Sequence, residues 1–82
     1  MKKIYTTYVV YNTDTPDPTF EIQEAYTDAE NATSAMAQLM FDEGEGPKLI
    51  DEMVERFNQD SWVEIYNGFS TTYGIDSNTL YE

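Results

Sequence analysis

The apolar residues of this chain change period twice, and that switch limits the fold more than any other feature of the sequence. From Lys3 to Asn12, and again from Thr19 to Tyr26, they alternate as strand residues do. From Ala29 to Phe57 they recur every three or four positions, the spacing of one helix face. From Ser61 onward they alternate once more. Strands are thus segregated from helices in the order ββ-αα-ββ. That order predicts an α+β domain: an antiparallel four-stranded sheet with two helices on one face. With 82 residues, the span 1–82 is expected to form a single domain.

Local signals sharpen the outline. In the first strand, Ile4, Thr6, Tyr8 and Val10 share one face and Tyr5, Thr7, Val9 and Tyr11 the other. Apolar groups on both faces predict a central strand. Thr13-Asp14-Thr15-Pro16-Asp17-Pro18 is turn chemistry, so the first two strands form a hairpin with a long connection. The second strand sets Phe20, Ile22, Glu24 and Tyr26 against Glu21, Gln23 and Ala25. Thr27-Asp28-Ala29-Glu30 has the pattern of a capping box with Thr27 as N-cap. The helix it opens runs to about Glu43 on a stripe of Ala29, Ala32, Ala35, Met36, Leu39 and Met40, and Gly44 stops it. Pro47 suits the first position of a second helix, whose stripe is Leu49, Ile50, Met53, Val54 and Phe57 and which ends near Asn58 to Asp60.

The third strand is expected over Ser61 to Tyr66. Asn67-Gly68 predicts a type I′ hairpin turn, and Phe69 to Tyr73 the returning strand. Gly74 reads as a break or bulge, leaving Ile75 to Glu82 as a loose tail that could add a short edge strand. Phe20, Phe41, Phe57 and Trp62 are the expected core anchors. Twelve aromatic residues spread through periodic segments argue for a folded chain rather than a disordered one. Seven Tyr exceed what so small a core satisfies, so some of Tyr5, Tyr8, Tyr11 and Tyr66 are expected to be exposed on the sheet face away from the helices.

What the chain lacks removes much chemistry. It has no Cys and no His, which excludes zinc fingers, thiolate nucleophiles, imidazole bases and disulfides. Its four Gly form no phosphate-binding loop, and Ser61, Ser70 and Ser77 have no His to activate them. Paired carboxylates would need a cleft that a core of this size leaves little room for. The chain therefore reads as a non-enzyme with no cofactor and no metal. Asp14 and Asp17 are oxygen donors, but they lie in a turn without the spacing of a calcium loop. Neither a membrane span nor a signal-peptide core is present in the sequence, so the expected location is the cytoplasm.

Charge is the strongest functional clue. There are 16 Asp plus Glu against 4 Lys plus Arg, a net charge of −12. A compact chain of this length has a radius of gyration of roughly 12 Å and a diameter of about 30 Å. Duplex DNA of that length carries roughly 18 phosphates. The two charge densities agree within a factor of two. Solubility alone is served by a net charge of about 2 to 8, and the excess costs stability through self-repulsion. Direct nucleic-acid binding is disfavoured, since phosphates are held by Lys and Arg.

The acids fall into three groups: Asp14, Asp17, Glu21, Glu24 and Asp28; then Asp42, Glu43 and Glu45; then Asp51, Glu52 and Glu55, continuing to Asp60 and Glu64. Lys48, Glu52 and Arg56 form i,i+4 pairs of opposite charge, whereas Asp51 and Glu55 repel. Asp42 and Glu43 stand in the last turn of a helix, where the macrodipole favours cations by about 0.3 to 1 kcal/mol per charge.

Small size, a net charge of −12, freedom from Cys, exposed Tyr and carboxylates in turns and on a helix face resemble a class of small acidic inhibitors carried by phages and mobile elements. Anti-CRISPR proteins, antirestriction proteins and the uracil-DNA glycosylase inhibitor belong to it. The resemblance implies DNA mimicry: the carboxylates occupy the channel of a basic nucleic-acid-binding protein, a host defence nuclease or CRISPR effector, in place of phosphates. The expected contact residues are Asp42, Glu43, Glu45, Asp51, Glu52 and Glu55, with Asp14, Asp17, Glu21 and Glu24 as a second patch and Tyr8 and Tyr66 supplying specificity. If the chain is phage-encoded, the compartment would be the host cytoplasm. The alternative is a protein–protein adaptor or structural subunit, homodimeric through a Tyr-rich sheet face or an open strand edge.

Overall fold

In a computed structural model, which describes residues 2–80, the two changes of period become two layers. The elements are β1 (Lys2–Tyr11), β2 (Thr19–Tyr26), α1 (Ala29–Asp42), α2 (Pro47–Asp60), β3 (Val63–Tyr66) and β4 (Thr72–Leu80). The strands form one antiparallel sheet in the order β2-β1-β4-β3. The α+β architecture and the ββ-αα-ββ order are those expected, and β1 is central as its two apolar faces require. The radius of gyration is 12.6 Å.

The core lies between the sheet and the helices. Val9, Tyr73, Ile75, Val63 and Ile65 rise from the strands to meet Ala32, Met36 and Met40 of α1 and Met53 and Phe57 of α2. Three thioethers at the centre of so small an interior fill irregular space where stiffer side chains would leave gaps. Tyr5 packs edge-on to Phe57 with ring centroids 5.7 Å apart.

Both helix boundaries have local causes. Asp28, not Thr27, is the N-cap of α1, and its carboxylate accepts from the amides of Glu30 at 2.8 Å and Asn31 at 3.4 Å. A charged acceptor at this end also complements the helix dipole, which the Thr27 hydroxyl would not. At the other end, the Gly44 amide donates to Phe41 and the Glu45 amide to Met40. With Gly44 at φ +89° this is a Schellman closure, and it turns the chain sharply into Pro47.

Three expectations about the strands are corrected. First, β2 does not alternate throughout. Thr7 pairs with Glu24 but Tyr8 with Ile22, so Gln23 is a bulge. Glu24 and Tyr26 therefore share the helix side with Thr7 and Tyr5, whereas Phe20 and Ile22 share the open side with Val10 and Tyr8. Second, the β3–β4 connection is not a two-residue type I′ turn. The Asn67 side-chain oxygen accepts from the amides of Phe69, Ser70 and Thr71, and the Asn67 amide donates to Thr71, closing a longer loop in which Phe69 is solvent-exposed. Third, Gly74 neither breaks nor bulges its strand. β4 runs continuously from Thr72 to Leu80; β3 covers it only as far as Ile75, and from Asp76 onward it pairs with β1 alone, so the expected tail is regular sheet that forms an edge there. Positions 81 and 82 lie outside the described residues.

Gly74 is small because an aromatic ring occupies the space above it. A Cβ there would stand 2.0 Å from Cζ of Tyr8. The ring crosses β4 to place its hydroxyl on Glu64 at 2.8 Å and stacks on Phe20 at 5.2 Å. Covering a strand glycine with a cross-strand aromatic is a known means of pinning register. Gly74→Ala is expected to cost about 1 to 3 kcal/mol by displacing that ring. Most of this loss should vanish in a Tyr8→Ala background, a coupling that urea unfolding of the four combinations measures.

The expected core anchors divide. Phe57 is interior, but Phe20, Phe41 and Trp62 are each more than half exposed. Trp62 precedes β3, which starts at Val63, and Phe41 lies on the outer side of α1 next to its last residue.

Candidate functional site

The pairing register divides the charge of the sheet between its two sides. On the open face the strands carry two acids, Glu64 and Asp76, and Glu64 is engaged by Tyr8. On the other side stand Glu21 and Glu24 of β2, together with the helices and the corner that joins them. The outer surface of α2 exposes Asp51, Glu52 and Glu55, and Asp60 ends that helix. No helix of the described residues is long and apolar enough to cross a membrane.

Two groups that are separate in sequence converge in space. Antiparallel pairing puts the β1–β2 loop, which holds Asp14 and Asp17, at the same end of the sheet as the β3–β4 loop; the Thr13 amide donates to Ser70 across them at 2.8 Å. The α1–α2 corner lies at this end too, since Glu43 reaches Tyr11 at the end of β1. Glu24 and Asp42 both line a groove of about 230 Å³ between β2 and α1. From this acidic end α2 leads the row away. Asp51 and Glu55, one turn apart at about 6 Å of helix rise, lie beside Glu52 and Lys48 on a shared surface.

The expected carboxylates do not all have the same job. Glu43 accepts the Tyr11 hydroxyl at 2.7 Å. Glu45 accepts the Tyr73 hydroxyl at 2.7 Å and the Asn67 amide nitrogen at 2.8 Å with one oxygen. Glu24 accepts the Tyr26 hydroxyl at 3.1 Å. Glu43 and Glu45 tie the helix corner to the sheet, which gives Glu43 a structural reason to stand where the macrodipole disfavours it, whereas the Glu24–Tyr26 bond stays within β2. Asp42 takes a bond from Gln38 at 2.9 Å on its own helix. Glu52 lies 3.9 Å from Arg56, both exposed, a pairing worth little in water. Asp51 and Glu55 make no hydrogen bond or ion pair among the described residues, and Asp14 and Asp17 are exposed on their loop. The carboxylates free to meet a partner are therefore Asp14, Asp17, Asp42, Asp51, Glu52 and Glu55, with Glu21 beside them.

Of the two tyrosines expected to contact a partner, Tyr66 is half exposed on the open face and its hydroxyl donates to the Phe69 carbonyl. Tyr8 is buried beneath its neighbours rather than exposed. Tyr5 and Tyr11 face the helices and are half-buried. The roles of Tyr11, Tyr73 and Asn67 as holders of the acidic corner had no local signal in the sequence. Among the described residues, no group of three or more acids is arranged to hold a metal ion.

Tyrosines bonded to carboxylates resist ionisation. The Glu43 carboxylate, with partial burial and the more distant Glu21, pushes the Tyr11 phenol up to about 12. Burial first, and then Glu45 and Glu64 respectively, raise Tyr73 and Tyr8. Burial and Glu24 raise Tyr26. A raised native value means that the folded state holds protons the unfolded chain releases near pH 10. These bonds therefore contribute fully below about pH 10, and stability is expected to fall as pH rises through about 12. Denaturant unfolding across that interval, read beside phenolate absorbance, should show the loss, and Tyr11→Phe with Tyr73→Phe should flatten it.

Comparison with protein-family models, with curated proteins and with solved structures finds no match for the chain. The site is accordingly defined by its own chemistry: a two-layer α+β domain, carboxylate-rich along its helix side and corner, with Phe20, Ile22 and Tyr66 exposed on its open sheet face.

Proposed function

We propose that this protein is a non-enzymatic inhibitor that mimics nucleic-acid phosphates and blocks the DNA-binding channel of a host defence nuclease or CRISPR effector. The observation that carries this reading is the one-sided array: Asp42, Asp51, Glu52 and Glu55, with Glu21, project from the helix side and its adjoining edge. Two helical turns of α2 and a Schellman-closed corner hold most of them, so little side-chain or backbone ordering remains to oppose binding. A cationic groove would gain charge-assisted hydrogen bonds from these oxygens and faster encounter from their field.

The test is capture of DNA-processing enzymes on immobilised protein at low ionic strength, followed by competition. The reading requires that a bound nuclease or CRISPR effector be displaced by its own DNA and that affinity fall steeply with salt. Binding that ignores both salt and DNA would overturn it.

A further inference from the structure

The acidic array makes no use of the sheet edge that opens beyond β3. The chain leaves α2 through Ser61 at φ +65° and joins the sheet only at Val63, opposite Ile75. From Asp76 to Leu80, β4 pairs with β1 on one side and with no strand of the described residues on the other. The Asn67 amide donates to the Thr71 carbonyl in the register that joins Ile65 to Tyr73 and Val63 to Ile75. Alternate residues of an antiparallel ladder turn both main-chain groups toward one neighbour, so Ser77 and Thr79 turn theirs to the open side. Ser77 is half-buried and Thr79 exposed. We propose that an extended, cationic segment of a partner protein adds here as a further strand, in line with β3.

The main chain selects an extended occupant. A row of amides and carbonyls at a sheet edge is satisfied by another strand. This stretch is regular, its pairing with β1 running without interruption from Thr72 to Leu80. The outer edge of β2 is a poorer template, because the bulge at Gln23 breaks its repeat. Charge then selects a cationic occupant. Where the edge opens, Asp76 is exposed, and so is Asp60, which ends α2 three residues before β3. The last turn of α2 holds no basic residue, so its carbonyl end adds to the negative field. Trp62, the residue before Val63, is 52 % exposed and offers a ring on which Lys or Arg can lie. The same acids on another copy of this chain would repel, which disfavours self-pairing. Lys2 and Lys3 belong to β1, opposite Leu80 and Thr79, and this assigns the cations of the incoming segment to the Asp76 end. The edge lies at the end of the sheet away from the corner where Glu43 meets Tyr11, so the proposal stands apart from the inhibitor reading.

Amide hydrogen exchange on the intact chain, with and without added peptide, tests the proposal. The probe is a synthetic peptide in which Lys alternates with Val and Thr. Its counterparts carry Glu in place of Lys, or Pro at alternate positions. At saturation the Lys peptide should slow exchange of the Ser77 and Thr79 amides at least about tenfold. It should also shift the emission of Trp62, the single tryptophan. The Glu and Pro peptides should do neither. Asp76→Asn should weaken binding about two- to fivefold, the effect of one exposed charge. Thr79→Pro should weaken it at least about fivefold, the effect of one lost main-chain bond. That substitution removes a donor facing the open side, which an edge strand tolerates, and an unchanged circular dichroism spectrum would verify the sheet. A Lys peptide that leaves Ser77 and Thr79 unprotected or binds no better than the Glu peptide would overturn the inference. So would protection that appears on β2 instead, or sedimentation showing that the edge is closed by a second copy of the chain.

Discussion

Tyr73→Ala is expected to lower stability by about 3 to 5 kcal/mol, the range for removing a buried aromatic side chain. A chain of this length holds about 4 to 12 kcal/mol in all, so the loss takes a quarter of the total or more and should lower the melting temperature by about 12 to 40 °C. Two contributions combine. The ring lies at the centre of the sheet, paired beside Val9 and Ile65 and almost fully buried. Its hydroxyl reaches through the core edge to Glu45, just beyond the C-cap of α1. Tyr73→Phe separates them: it keeps the ring and removes the bond, and should cost about 1 kcal/mol. Thermal unfolding of the two variants side by side makes the comparison. Equal losses would mean that the hydroxyl, not the ring, dominates.

The second large effect concerns binding rather than folding. On the proposed reading, neutralising Asp42, Asp51, Glu52 and Glu55 together, as Asn or Gln of the same shape, is expected to reduce affinity for a captured nuclease or CRISPR effector by at least about 100-fold, since each charge-assisted contact contributes about 1.5 to 3 kcal/mol. Stability should not fall with it. Asp51 and Glu55 repel one another at i,i+4, and relieving net charge favours the compact state. The signature is a protein that melts no lower yet binds far more weakly, with a shallower salt dependence. Glu43→Gln and Glu45→Gln should behave in the opposite sense, loosening the fold because Tyr11 and Tyr73 lose charged acceptors. Calorimetric melting together with titration against the target resolves both halves.

These contrasts show where sequence reasoning reaches and where it stops. The two helices, Gly44, Pro47 and the central position of β1 are legible because each rests on spacing within a few residues. The β2 faces are not, because Gln23 adds a residue against β1 and nothing in the alternating pattern marks it. Gly74 looked like a break because a missing side chain is locally a loss; its reason is the Tyr8 ring, supplied by a distant strand. The Asn67-Gly68 dipeptide alone predicts a tight turn, whereas the Asn67 side chain gathers three amides and recruits Glu45. The acidic site is visible as charge, but not how its members divide: Glu43 and Glu45 are braces, whereas Asp51 and Glu55 have no partner among the described residues. That division depends on tyrosines brought in from β1 and β4.

The sheet order also governs how the chain reaches its native state. β1, made first, has one neighbour close at hand in β2, but its other neighbour is β4, with Lys2 beside Leu80 and Val10 beside Thr72. Both helices must be formed, or held aside, before that pairing closes the largest loop in the molecule. Folding should therefore be late and concerted rather than progressive, with a rate nearer milliseconds than microseconds for so small a domain. Until β4 arrives, one side of β1 is an unpaired hydrogen-bonding edge beside Tyr8 and Val9, open to pairing with another chain.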